Sequence, residues 1–141
     1  MVNAASAGLV AALVGRALRS VEKCDYTWVF AFDSGVAISS DADWRLVMDG
    51  RVRASSHDHG HVFGLPAPFD AVEKLQSSLV GCAVESAAIV ADTGDLRLEF
   101  GRSVRLELLQ LSTGYESWGL STPQGRIICV GGGELVHFPQ E

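Results

Sequence analysis

The sequence lacks most of the features that announce a specific chemistry. Its three cysteines, Cys24, Cys82 and Cys129, are odd in number and far apart, with no CxxC or other ligand spacing. That excludes a disulfide framework and fits a reducing compartment. The apolar start, Met1 to Val14, has no positive charge ahead of it, since the first is Arg16. A secretory signal needs that charge first, and the run is too short to cross a bilayer. No serine stands in a G-x-S-x-G elbow. Gly131-Gly132-Gly133-Glu134 is followed by no lysine, so it is not a phosphate loop; a bulge or tight bend before the last strand accounts for it. Basic charge is also short: the net charge is −6. An acidic surface repels nucleic acid and anionic lipid, so neither is expected as a partner.

What is present describes a small β-rich α+β domain. Hydrophobic residues make up 48% of the 141 residues and charged residues 20%, a composition that buries a core without metal or disulfide support. Leu9, Val10, Leu13 and Val14 draw one helical stripe, capped by Asn3 or Ser6 and closed by Gly15. Asp70 with Glu73 starts a second helix bearing Phe69, Val72, Leu75, Leu79 and Val80, closed by Gly81. Val21 to Phe32 reads as one buried strand, turned at Ser34-Gly35 into Val36 to Ser39. Trp44 to Met48 and Arg51 to Ala54 flank an Asp49-Gly50 hairpin turn. Cys82 to Val90 reads as extended. Strands follow around Leu96 to Phe100, Val104 to Leu108, Ser117 to Leu120, Ile127 to Val130 and Leu135 to Phe138.

Leu13-Val14-Gly15 matches Leu79-Val80-Gly81, Trp44 matches Trp118, and Gly50-Arg51-Val52 matches Gly125-Arg126-Ile127. Each set follows the order helix, glycine, strands, tryptophan, turn, strand. The pattern predicts a single domain over 1–141 made of two similar helix-then-antiparallel-strand halves, roughly 1–64 and 65–141. The hairpins would share one sheet, with two helices covering a face.

Candidate chemistry is confined to a few places. His57, His59 and His61 alternate, so an extended chain would set three imidazoles on one face, as an open zinc site requires. Asp92, Asp95, Glu99, Glu107 and Glu116 supply carboxylates, but the sequence selects no pair for acid–base work. Glu99 and Glu107 occupy polar positions of alternating strands, as on a solvated sheet face. Tyr115 lies in a loop ahead of Trp118, where a rigid aromatic could anchor a partner.

Gly94-Asp95-Leu96-Arg97-Leu98-Glu99-Phe100, Ser112 to Trp118 and Gly132-Gly133-Glu134-Leu135 carry a resemblance. The stretch Leu79 to Phe138 resembles a small bacterial family of unknown function with GDLxLxF, SxGYExW and GGEL motifs. In size and charge the chain is also similar to immunity proteins of polymorphic toxin systems, including contact-dependent growth inhibition. That likeness implies a cytoplasmic, non-enzymatic protein without cofactor that binds a cognate toxin, such as a nuclease with a basic cleft. Asp92, Asp95, Glu99, Glu107, Tyr115 and Glu116 are the expected partner-binding residues. The alternatives are a metal-binding domain or metal-dependent enzyme at the histidine cluster, and a structural or oligomer-forming module with open edge strands.

Overall fold

The computed structural model describes residues 2–101 and 103–140. Helix α1 (Ala4–Ala11) begins where the Asn3 carboxamide accepts the Ser6 backbone N–H at 2.8 Å. It stops before the sequence stripe does. Leu13 is buried in the turn that follows, while Val14 points outward. Helix α2 (Ala71–Leu79) is capped as expected, the Asp70 side chain accepting from the Glu73 N–H. Leu75 and Leu79 are buried and Val80 is exposed beyond the last turn.

Among the described residues, eleven strands run antiparallel in two sheets. They are β1 (Leu18–Cys24), β2 (Thr27–Phe32), β3 (Ala37–Ser40), β4 (Trp44–Met48), β5 (Arg51–Ser55) and β6 (Ser86–Ile89), then β7 (Leu96–Glu99), β8 (Val104–Leu108), β9 (Trp118–Thr122), β10 (Gly125–Cys129) and β11 (Leu135–Pro139). One sheet has the order β1-β2-β3-β9-β10-β11 and the other β5-β4-β8-β7-β6.

Three expectations change here. The run Val21 to Phe32 is two strands, because Asp25 takes a left-handed φ of 55° and folds β1 back on β2. Of Cys82 to Val90, only Ser86–Ile89 forms a strand. The hairpins do not share one sheet. The segments β3 to β4 and β8 to β9 each carry the chain from one sheet to the other, so β3 pairs β9 and β4 pairs β8.

The two sheets enclose one apolar core in which Trp28, Phe30, Trp44, Leu98, Leu106 and Trp118 are buried. Trp28 and Trp44 meet edge to face with centroids 5.0 Å apart. Helix α1 packs on β6 and on β9 to β11, and α2 packs on β1 and β5, so each helix bridges the two sheets. Between the helices, Ala17 bridges Ala83. Around that bridge the backbone bonds come in matched pairs. Gly15 donates to Val84 and Gly81 to Leu18, both at 2.8 Å; Leu18 donates to Cys82 at 3.0 Å and Val84 to Arg16 at 2.9 Å.

The two central tryptophans differ in one respect. The Trp118 indole N–H donates to the Gly94 carbonyl at 2.8 Å, whereas that of Trp44 is buried without a hydrogen-bond partner among the described residues. Phenylalanine removes a satisfied bond at Trp118 and an unsatisfied donor at Trp44. Trp118→Phe should therefore cost about 1 kcal/mol more than Trp44→Phe in urea denaturation. A larger loss for Trp44→Phe would contradict the assignment.

Candidate functional site

The two inter-sheet segments meet at one end of the molecule. Asp41 donates its N–H to the Ser117 carbonyl and Leu109 donates to that of Asp43, both at 2.9 Å. Between them opens a cleft of about 560 Å³, lined by Asp41, Asp43, Leu111, Tyr115 and Glu116. Its floor is Gln110, which is buried. The Gln110 amide donates to the Val130 carbonyl at 2.7 Å and to Ser117 Oγ at 3.1 Å, and its oxygen accepts from the Ser112 N–H at 2.7 Å. A buried amide with both ends bonded holds the loop above it in one place.

Three further hydrogen bonds fix that loop. Ser112 Oγ accepts from the Gly114 and Tyr115 N–H groups at 3.1 and 2.9 Å. The Gly132 N–H donates to the Ser112 carbonyl at 2.8 Å. The glycine run explains the fit. A Cβ on Gly131 would stand 2.5 Å from Gly114 Cα, and one on Gly133 would stand 2.2 Å from the Thr93 carbonyl oxygen. The run is thus more than a bend: it lets two neighbouring loops close directly on its backbone. The pinned loop displays Tyr115 and Leu111, 82% and 72% exposed.

The cleft is acidic. Asp41 accepts a hydrogen bond from the Thr27 hydroxyl, and Asp43 Oδ1 accepts one from Ser56 Oγ at 3.0 Å. Each carboxylate is thereby oriented and remains exposed, as does Glu116.

The six expected partner-binding residues do not form one surface. Only Tyr115 and Glu116 line the cleft. Asp92 is exposed in a turn, and Asp95 is half-buried, accepting the Gln110 N–H at 2.8 Å. Glu99 is exposed on a strand of the five-stranded sheet. Glu107 is not a solvated carboxylate but is buried among three arginines. Asp41, Asp43 and Leu111 are residues the sequence reading missed. The signal for the first two was their place in the short polar link just before Trp44.

The histidines are separated too. Ser56–Asp58 is a 3-10 turn, so the extended alternation that would align them is absent. His57 and His61 face each other at 5.9 Å and His61 stacks on Phe63. His59 turns away, packing edge-on against Trp28 and accepting the Ala71 N–H on Nδ1 at 3.0 Å. Among the described residues, no three His, Cys, Asp or Glu side chains are grouped to hold a metal ion. Nor, among those residues, is any helix long and apolar enough to cross a membrane.

A family model described as a family of unknown function, DUF6188, matches residues 12–139. The chain belongs to this family. The matched span takes in the whole cleft, the glycine run that pins its loop and the Glu107 cluster. No curated protein and no solved structure matches the chain.

Proposed function

We propose that the chain is a protein-binding module that receives a basic partner in the cleft between Asp41, Asp43 and Glu116. The observation that carries this is the pairing of a rigidly held, exposed Tyr115 and Leu111 with three carboxylates around one concavity. Aromatic anchors supply buried area at low entropic cost, and the carboxylates steer association with a positively charged surface. The concrete form of this reading is an immunity protein that neutralises a cognate toxin by covering it, a nuclease with a basic cleft being the chemistry that fits best. The chain's net charge of −6 is in keeping with such steering.

The cleft also makes sense as the product of an internal duplication. Two helix-then-strand halves, each giving three strands to one sheet and two to the other, with β11 added at the end of the second, account for the order β1-β2-β3-β9-β10-β11 beside β6-β7-β8-β4-β5. The matched bonds around Ala17 and Ala83 then relate residues 66 apart, as Gly15 and Gly81 are. On this reading the segment carrying Leu111, Tyr115 and Glu116 is extra length in the second half, with no counterpart between Ala42 and Asp43. Extra loop on a repeated scaffold is a common place for function to settle.

Calorimetry on the chain and its partner tests the reading. Tyr115→Ala should weaken binding at least tenfold, about 1.4 kcal/mol, with the melting temperature unchanged. Combined Asp41→Lys and Glu116→Lys should slow association most strongly at low salt. Unchanged affinity in both variants would remove the cleft from the interface.

A further inference from the structure

The strands of the five-stranded sheet carry the opposite net charge to the rest of the chain. They hold five arginines, Arg45, Arg51, Arg53, Arg97 and Arg105, against two glutamates, Glu99 and Glu107. Cross-strand register brings three of the arginines to one point. Arg45 and Arg97 both stand opposite Glu107 in the ladders, and Arg105 precedes it by two on β8. Arg45 Nε lies 2.7 Å from Glu107 Oε1; Arg97 Nη2 and Arg105 Nε lie 3.3 and 3.6 Å from Oε2.

One carboxylate cannot satisfy three guanidiniums. It offers about four acceptor sites against fifteen N–H donors, five on each arginine. The Arg105 Nε contact is too long for a hydrogen bond, and that nitrogen has no other partner among the described residues. Glu107 is 5% exposed, yet the arginine side chains remain 45%, 47% and 43% exposed. Three positive charges around one negative charge leave an excess of two at the surface. Glu99, opposite Arg105, is exposed and forms no ion pair among the described residues.

We propose that Arg45, Arg97 and Arg105 form a binding site for a phosphate group, either free or carried as a phosphomonoester. Glu107 acts as the fixed counter-ion that holds the guanidiniums in place from below. A phosphate dianion matches the excess charge and presents several oxygens to planar forks, which arginine suits better than lysine. Trp44, the one aromatic residue in these strands, is buried, so the face has no ring on which a nucleic-acid base could stack.

The test is calorimetric titration of the whole chain, at low ionic strength, with inorganic phosphate and separately with phosphoserine, using acetate as control. The expected result is saturable one-to-one binding of at least one phosphate ligand, at least tenfold tighter than acetate. That binding should weaken as pH falls below about 6, where the dianion gains a proton. Arg97→Gln and, independently, Arg105→Gln should each weaken it at least tenfold, with folding checked by circular dichroism. Phosphate alone binding would point to the free ion, and phosphoserine alone to a carried group. No saturable binding of either, affinity no better than acetate, or full affinity in a folded arginine variant would overturn the proposal. Tyr115→Ala leaves this site intact, so failure here is distinct from failure of the cleft.

Discussion

Gly133→Ala destabilises the chain by about 3 kcal/mol or more, the largest loss expected from any single methyl group added to it. Two causes act together. The residue has φ +92°, where an L side chain is strained, and the new Cβ would stand 2.2 Å from the Thr93 carbonyl oxygen. That oxygen belongs to backbone and cannot step aside like a side-chain tip. Gly94 faces the same contact from the other side, where an added Cβ would fall 2.7 Å from Gly133 Cα. Gly60 is the control: its φ is +85°, but nothing lies within 4 Å of an added Cβ. Gly60→Ala should cost about 1 kcal/mol, for strain alone. Thermal unfolding of the two variants checks the difference, and equal losses would mean that the close approach of the two loops is not real.

Glu107→Gln is the second large effect, a loss of about 2 kcal/mol at neutral pH. A buried pair broken by removing one partner loses about 3–5 kcal/mol, but these arginines are half-exposed and water relieves part of their repulsion. The pH dependence follows from the same cluster. Burial pushes the Glu107 carboxyl up, but the hydrogen bond from Arg45 and the charges of Arg45, Arg105 and Arg97 outweigh it, holding the group below its ordinary 4.5. A carboxyl lowered by folding adds stability that is complete above its unfolded value and disappears as pH falls through the folded one. The native chain should therefore lose stability in acid more steeply than Glu107→Gln does. Urea midpoints from neutral pH down into that range measure it, and parallel curves would contradict the network.

Local chemistry was legible in the sequence, and long-range pairing was not. The Asp49-Gly50 turn is a two-residue hairpin with both residues left-handed, at φ 54° and 75°, as that dipeptide prefers. The Asp70 cap and the buried stripe of α2 read equally well. Asp25 adopts the same left-handed geometry with Tyr26 after it in place of glycine, so the first hairpin looked like one strand. Nothing between Ser40 and Trp44 signals a change of sheet, which hid the two-sheet arrangement. Glu99 and Glu107 look alike in an alternating strand. Only the register that sets Arg45 and Arg97 across from Glu107 separates a solvated carboxylate from a buried hub. The cleft joins Asp41 and Asp43 to Glu116 across most of the chain, a convergence that local periodicity cannot express.

The central claim is that the acidic cleft binds a protein. Its most direct test is co-purification of the tagged chain with the product of the adjacent upstream gene, for the native chain and for Tyr115→Ala combined with Asp41→Lys. The account predicts a one-to-one complex with the native chain that is lost in the double variant while the fold is retained. A complex that survives the double variant undiminished would contradict the cleft as the interface, and no complex with the native chain would contradict the immunity reading.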